Sequence, residues 1–167
     1  MNTHLISTDQ GKIIPYKDYA SYRQLVGKKK TVLVGGCFDL LHYGHLYFLQ
    51  QAKEEGDLLI VALESDEFIE KRKNRKPVHT QKQRAEILSH IDLVDVVLLL
   101  PFFKTDAQYY QLTKTVSPDV ILITKTHPHL ERRKKQAALI KAKVVEIDLL
   151  HEFSSSNIVR YATVFGD

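Results

Sequence analysis

The sequence predicts an α/β fold, a three-layer sandwich around a five-stranded parallel sheet, and two observations carry that expectation. Five short apolar runs recur along the chain: TVLVGG (31–36), DLLIVAL (57–63), DVVLLL (95–100), DVILIT (119–124) and KVVEID (143–148). They are continuous and rich in Val, Leu and Ile, the pattern of strands buried on both faces of a parallel sheet, where a half-exposed strand would alternate. The second observation is what lies between them. Amphipathic stretches at about 43–55, 66–72, 80–90, 105–116 and 129–141, with another at 155–163, read as helices. Strand alternating with helix implies right-handed crossovers and helices on both faces.

The remaining bulk properties agree. A chain of 167 residues, 44% hydrophobic and 26% charged, fits one folded domain and is far from a disordered composition. Folding at this size buries roughly two-thirds of the surface, enough to dispense with disulfide or metal staples. The single cysteine, Cys37, has no internal partner, which suits a reducing cytoplasm. The start, MNTHLISTDQGK, lacks the charged and apolar regions of a signal peptide, and no run reaches the ~18 apolar residues that span a bilayer, so no membrane association is expected. Residues 1–30 read as an N-terminal extension with one short helix at about 17–26, packing on the edge of a single 31–167 domain. The net charge of +4 suits anionic ligands without selecting one. Nucleic acid is not expected among them: the eight tyrosines are scattered and form no stacking platform at strand spacing.

In a parallel sheet the ligand crevice lies beyond the carboxyl ends of the strands, where strand order reverses. That rule directs attention to 36–45, 64–76, 124–128 and 149–157. The first predicted strand runs through Gly36-Cys37-Phe38-Asp39 to His42-Tyr43-Gly44-His45, where a helical pattern begins at once. His42 and His45 thus stand at a helix N-terminus, whose free N–H groups and positive dipole end attract phosphate. Gly44 between them lets an anion approach the backbone. Imidazoles three residues apart can face one phosphate and donate to the charge that builds on it during in-line displacement. The bland alternative for either ring is a helix cap or a bond to a backbone carbonyl. Asp39 has two readings, a cap that accepts turn N–H groups or a Mg²⁺ ligand, of which the cap is preferred. Cys37, at the end of a buried strand, is a poor nucleophile.

Seven cations fall between 71 and 84. Lys71, Arg72 and Lys82 read as solvated surface. Lys73, Arg75, Lys76 and Arg84 follow a strand's carboxyl end, where they can neutralise a triphosphate and a phosphorylated acceptor. Further on, Ser154, Ser155 and Ser156 precede the last predicted helix, one as an N-cap and the three together as a second phosphate cradle.

The string G-x-F-D-x-x-H-x-G-H, placed directly after a buried strand, resembles the signature of the cytidylyltransferase-like branch of the nucleotidyltransferases. The serine turn before Asn157-Ile158 resembles that family's second phosphate motif. The resemblance covers about 31–163 and implies a Rossmann-like fold, transfer of CMP or AMP from CTP or ATP to a phosphorylated small molecule, release of pyrophosphate, assistance by Mg²⁺, and a homodimer. It implies catalytic roles for His42, His45 and Lys76. Nucleotide contacts fall to Cys37, Phe38, Asp39, Gly44 and the three serines, and acceptor contacts to Lys73 and to Arg84, which braces the site from its helix; Arg75 and Lys125 are acceptor candidates by their positions after strands. No residue set spells out a metal site. The stretch Asp66-Glu67-Phe68 is similar to the glycerol-phosphate branch, and Lys76-Pro77-Val78 with Gln83-Arg84 to the heptose-phosphate branch; FMN is a third acceptor that the architecture accommodates. Two departures stand out. The family's arginine before the serine motif is absent from Leu149-Leu150-His151, and its Gly-Asp pair after the fourth strand is replaced around Thr124-Lys125. Lys125 therefore has two readings, an acceptor contact or an exposed loop lysine. If these departures remove acceptor chemistry, a silent nucleotide sensor is the alternative.

Overall fold

The structure, a computed structural model, describes residues 7–8, 11–25, 27–148 and 150. The elements run β1 (Ser7–Thr8), β2 (Gly11–Pro15), α1 (Tyr19–Leu25), β3 (Thr31–Gly36), α2 (Tyr43–Glu54), β4 (Leu58–Leu63), α3 (Asp66–Lys73), α4 (Gln81–Ser89), β5 (Val96–Leu99), α5 (Asp106–Val116), β6 (Val120–Thr124), α6 (Leu130–Leu139) and β7 (Lys143–Ile147). They form one sheet in the order β1-β2-β5-β4-β3-β6-β7. The predicted helix at 155–163 lies outside the described residues.

Six strands are mutually parallel, one more than the sequence predicts, and β1 pairs antiparallel with β2 at one edge. The additional parallel strand is β2, drawn from the N-terminal extension, with Ile13 opposite Val97 and Ile14 opposite Leu98 of β5. Its apolar content is two isoleucines between Lys12 and Pro15, too short a run to read as a strand. What makes it one is the open edge of β5, whose unpaired backbone groups it satisfies. Directly after it, α1 delivers Tyr19 and Tyr22 into the core, so two of the scattered tyrosines are packing residues.

The continuous apolar runs behave as expected in the middle of the sheet. In β3, Leu33 packs with Ile60, Leu98, Leu112 and Ala137 on the face covered by α1, α5 and α6. Its neighbours Val32 and Val34 join Leu49, Val61, Ala85 and Leu88 on the face covered by α2 and α4. Each such fully buried side chain contributes roughly 1.5–3 kcal/mol. The exception is β7, an edge strand that carries Lys143 and Glu146 and is only partly covered.

An aspartate opens three of the apolar runs, and the structure shows what each does there. Asp57 accepts from the N–H of Lys30 at 2.9 Å, Asp95 from that of Leu59 at 2.7 Å, and Asp119 from that of Thr31 at 2.7 Å. Each carboxylate caps the start of a neighbouring strand at the edge far from the ligand side. Close approach there also requires Gly56, where a Cβ would lie 2.7 Å from the Lys30 carbonyl oxygen.

At the opposite edge, order reverses between the paired strands β3 and β6: the chain runs from β3 through β4 to β5 on one side, and from β6 to β7 on the other. This switch point places the β3–α2 turn and the loop after β6 on either side of one crevice. Capped helices fix the surroundings. Ser65 accepts from the N–H of Phe68 at 3.2 Å to start α3, and Thr80 and Gln83 form a reciprocal capping box at the start of α4.

Candidate active site

The β3–α2 turn is shaped by one backbone reversal. Phe38 sits in the left-handed region with φ of 47°, which folds its ring back over Gly36; a Cβ on Gly36 would lie 2.8 Å from Phe38 Cε2. The buried ring then supports His45, its centroid 5.0 Å from the imidazole. His42 is the N-cap residue of α2, yet its side chain makes no cap hydrogen bond. The two imidazoles stack on each other, centroids 3.9 Å apart and planes 30° from parallel. Both Nδ1 atoms are buried and have no hydrogen-bond partner among the described residues. The capping alternative is therefore absent from this geometry.

Burial is the main force on both rings. It lowers the pKa of His42, and together with the neighbouring His42 and Lys73 it pushes His45 down to about 4 from 6.5. At neutral pH each ring is an uncharged imidazole with one N–H to donate. The shift has a consequence for stability. In the unfolded chain His45 takes up a proton near 6.5, while the fold holds it neutral to about 4. Its contribution is complete above pH 6.5 and is lost as pH falls through 4. Melting temperature is expected to fall across this window more steeply in the wild type than in His45→Asn; parallel profiles would count against the burial of an uncharged ring.

Asp39 is 2% exposed and anchors the turn. Its carboxylate accepts from the N–H groups of Val78 at 3.0 Å and His79 at 3.1 Å, and pairs with the Arg75 guanidinium. Burial alone raises its pKa, but these hydrogen bonds and the Arg75 charge outweigh it and the net shift is downward. Both oxygens are engaged with protein donors beside a cation, which does not fit a Mg²⁺ ligand. The structural reading of Asp39 is the one the geometry carries. No cluster of three or more His, Cys, Asp or Glu able to hold a metal occurs among the described residues.

The basic segment divides by position. Arg84 is wholly buried in α4 and donates to the carbonyls of Cys37, Glu64 (2.9 Å) and His79 (3.1 Å) and to Asp66 (2.8 Å). It braces the ends of β3 and β4, and with four of its five N–H donors engaged inside the protein and the side chain wholly buried off the cavity wall it is not presented to an acceptor. Arg75 is spent largely on Asp39 and on the Lys76 carbonyl. Lys73 closes α3 and lines the crevice, whereas Lys76 is exposed and stands outside its lining. Lys125 points away: its ammonium pairs with Asp148 at 2.7 Å on the surface, the exposed-loop alternative. Cys37 lies 8% exposed at the crevice wall, and burial raises its thiol pKa, so it remains a thiol. Gly44 lies in the first turn of α2 between the two histidines. Ser154, Ser155 and Ser156 fall outside the described residues.

The crevice opens into a cavity of about 870 Å³ between the strand ends and helices α5 and α6; the β3–α2 turn reaches it through Gly36 and Cys37, and His42 and His45 are not in its lining. Three residues on its wall were not singled out from the sequence. Glu64, at the end of β4, accepts a hydrogen bond from the Tyr109 hydroxyl at 2.9 Å, and its pKa is pushed up to about 7, chiefly by burial. Arg133 lies over the Tyr109 ring, 4.6 Å from its centroid. Glu64 falls in the 64–76 window that the strand-end rule selects, as an acid directly after an apolar run. Tyr109 and Arg133 lie mid-helix, where nothing local distinguishes them from surface residues.

Proteins with an anion-receptive helix start at the switch point of a parallel sheet form the Rossmann-like nucleotide-handling class, and this chain falls within it. The chain belongs to the cytidylyltransferase-like family of nucleotidyltransferases, whose family model matches residues 33–160. The FAD synthase of Pyrococcus horikoshii is 36% identical over 148 residues, 84% of this chain and 97% of that protein. The bifunctional protein HldE of Helicobacter hepaticus is 34% identical over 151 residues, 90% of this chain but 30% of that protein. FAD synthases of three Thermococcus species match at 40% to 46% identity over 96 residues, 58% of this chain and 62% to 63% of theirs. Among solved structures, the lipopolysaccharide core biosynthesis protein of Thermoplasma volcanium superposes with a TM-score of 0.61 at 27% identity, covering 72% of this chain and 98% of that one. No helix among the described residues is long and apolar enough to cross a membrane.

Proposed function

We propose that this protein transfers a nucleotidyl group, CMP or AMP, from CTP or ATP to a phosphorylated small molecule such as a sugar or polyol phosphate and releases pyrophosphate. The observation that carries this reading is the stacked His42–His45 pair at the start of α2, whose Nδ1 atoms have no partner among the described residues, in the same turn whose Gly36 and Cys37 line the cavity at the switch point. An acceptor phosphate is ionised at neutral pH and already nucleophilic, so its oxygen attacks the α-phosphorus without a general base. As that P–O bond forms, the bond to the pyrophosphate leaving group breaks. The helix N-terminus holds the phosphates, and the two imidazoles donate to the oxygens on which charge accumulates. Lys73, and Lys76 from the adjoining loop, supply positive charge towards the departing phosphates. Mg²⁺, brought with the nucleotide phosphates, would neutralise charge on the departing pyrophosphate.

A second reading takes ATP with FMN as acceptor, and the similarity to an FAD synthase over nearly its full length favours it. Either way the protein is proposed to act as a cytoplasmic homodimer without nucleic acid or membrane partners. The test is calorimetric titration of CTP and ATP with Mg²⁺, followed by a pyrophosphate-release assay with glycerol 3-phosphate, a hexose phosphate and FMN. One nucleotide is expected to bind, with binding altered in the His42→Ala/His45→Ala double variant, and one acceptor to support release. Nucleotide binding with no release from any acceptor would replace this proposal with a silent sensor.

A further inference from the structure

The cavity has a recognition point that the transfer chemistry leaves unused. Glu64 is 7% exposed, and while Oε1 accepts from Tyr109, Oε2 is buried without a partner among the described residues. A buried carboxyl oxygen left unbonded is unfavourable, and a polar ligand group in the cavity is the natural partner for it. The surrounding wall is of mixed character. Leu33, Ala62, Leu112, Ile121 and Ile123 give it an apolar floor. At about 870 Å³ it is far roomier than a three-carbon phosphate needs.

Resting on the nucleotidyl-transfer reading, we propose that Glu64 is the acceptor-specificity residue. It takes a hydrogen bond at Oε2 from an N–H or O–H on the bulky, partly apolar body of a phosphorylated acceptor, and Tyr109 and Arg133 fix its orientation. A flavin phosphate, with an imide N–H on a flat apolar ring system, is of this class; glycerol 3-phosphate is not. The charged and titratable groups around Glu64 are Cys37 after β3, Lys73 of α3, Arg84 of α4, Tyr109 of α5 and Arg133 of α6. The cations favour its ionised form and burial opposes it, so its protonation changes near neutrality and acceptor binding follows.

The test is equilibrium binding of FMN, followed by flavin fluorescence, and of glycerol 3-phosphate, by calorimetry, to the wild type, Glu64→Leu and Glu64→Gln. The wild type is expected to bind FMN more tightly than glycerol 3-phosphate. Glu64→Leu should lose at least tenfold in FMN affinity. Glu64→Gln should keep more of that affinity and flatten its pH profile around 7, while CTP and ATP affinities stay within about twofold in both variants. In turnover, the loss should fall on the acceptor KM and leave kcat nearly unchanged, a split that a merely structural Glu64 would not give. Unchanged FMN affinity in Glu64→Leu, no preference for FMN, or an equal loss of nucleotide affinity would each overturn the assignment. Failure of the transfer reading looks different: no pyrophosphate release and a histidine double variant that binds nucleotide like the wild type, with Glu64-dependent FMN binding intact.

Discussion

Replacing His45 with Ala is expected to lower turnover by roughly 10² to 10³-fold while weakening nucleotide binding only a few-fold. The asymmetry follows from the state of the ring. His45 is held between Phe38 and His42 with its Nδ1 unpartnered, and burial keeps it uncharged at neutral pH. An uncharged donor adds little to the binding of ground-state phosphates, which the helix N-terminus and nearby lysines attract anyway. It matters when charge builds on the leaving oxygens, since a pre-oriented donor in a dry site stabilises that charge without reorganising. Steady-state kcat measured alongside calorimetric nucleotide affinity separates the two contributions. Equal losses in both would mean that His45 only binds, and the transition-state role would be abandoned.

Arg84→Ala is expected to be the most destabilising single substitution in the site, costing about 3–5 kcal/mol in urea or thermal unfolding. The wholly buried guanidinium bonds the carbonyls of Cys37, Glu64 and His79 and the carboxylate of Asp66, tying the ends of β3 and β4 to the start of α3 and the loop before α4. Removing it orphans two buried carbonyls, of Cys37 and Glu64, and two part-buried acceptors at once. Arg84→Lys should recover little, because one ammonium cannot reach partners arranged around a planar fork. A loss below about 1 kcal/mol for Arg84→Ala would show that water replaces those bonds and that the brace is dispensable.

The histidine pair and Arg84 mark how far the chain could be read without its fold. The turn from Gly36 to His45 was legible because its chemistry is local: a strand end, a helix start and two imidazoles three residues apart are all fixed by neighbouring residues. Four of the five short apolar runs were legible for the same reason, since burial on both faces imprints every position of a strand; the fifth, β7, is only partly covered. Arg84 as a brace was half visible, its location given by the helix pattern but its partners hidden, because they come from β3, β4 and the loop at 79. Lys125 shows the opposite case, a cation expected at a strand end whose side chain turns outward to Asp148.

By itself, then, the sequence determined the parallel α/β class, the boundaries of the described helices to within a residue or two and the place of the turn that carries the two histidines, all set by periodicity and short-range spacing. Tertiary structure alone decided the sixth parallel strand, the engagement of Asp39 with Arg75, Val78 and His79, and the Glu64–Tyr109–Arg133 wall. β2 is a strand only because β5 offers it an edge, and Glu64 meets Tyr109 across 45 residues of chain. Interactions of that range depend on which elements the topology brings side by side, and no local pattern of residue types encodes them.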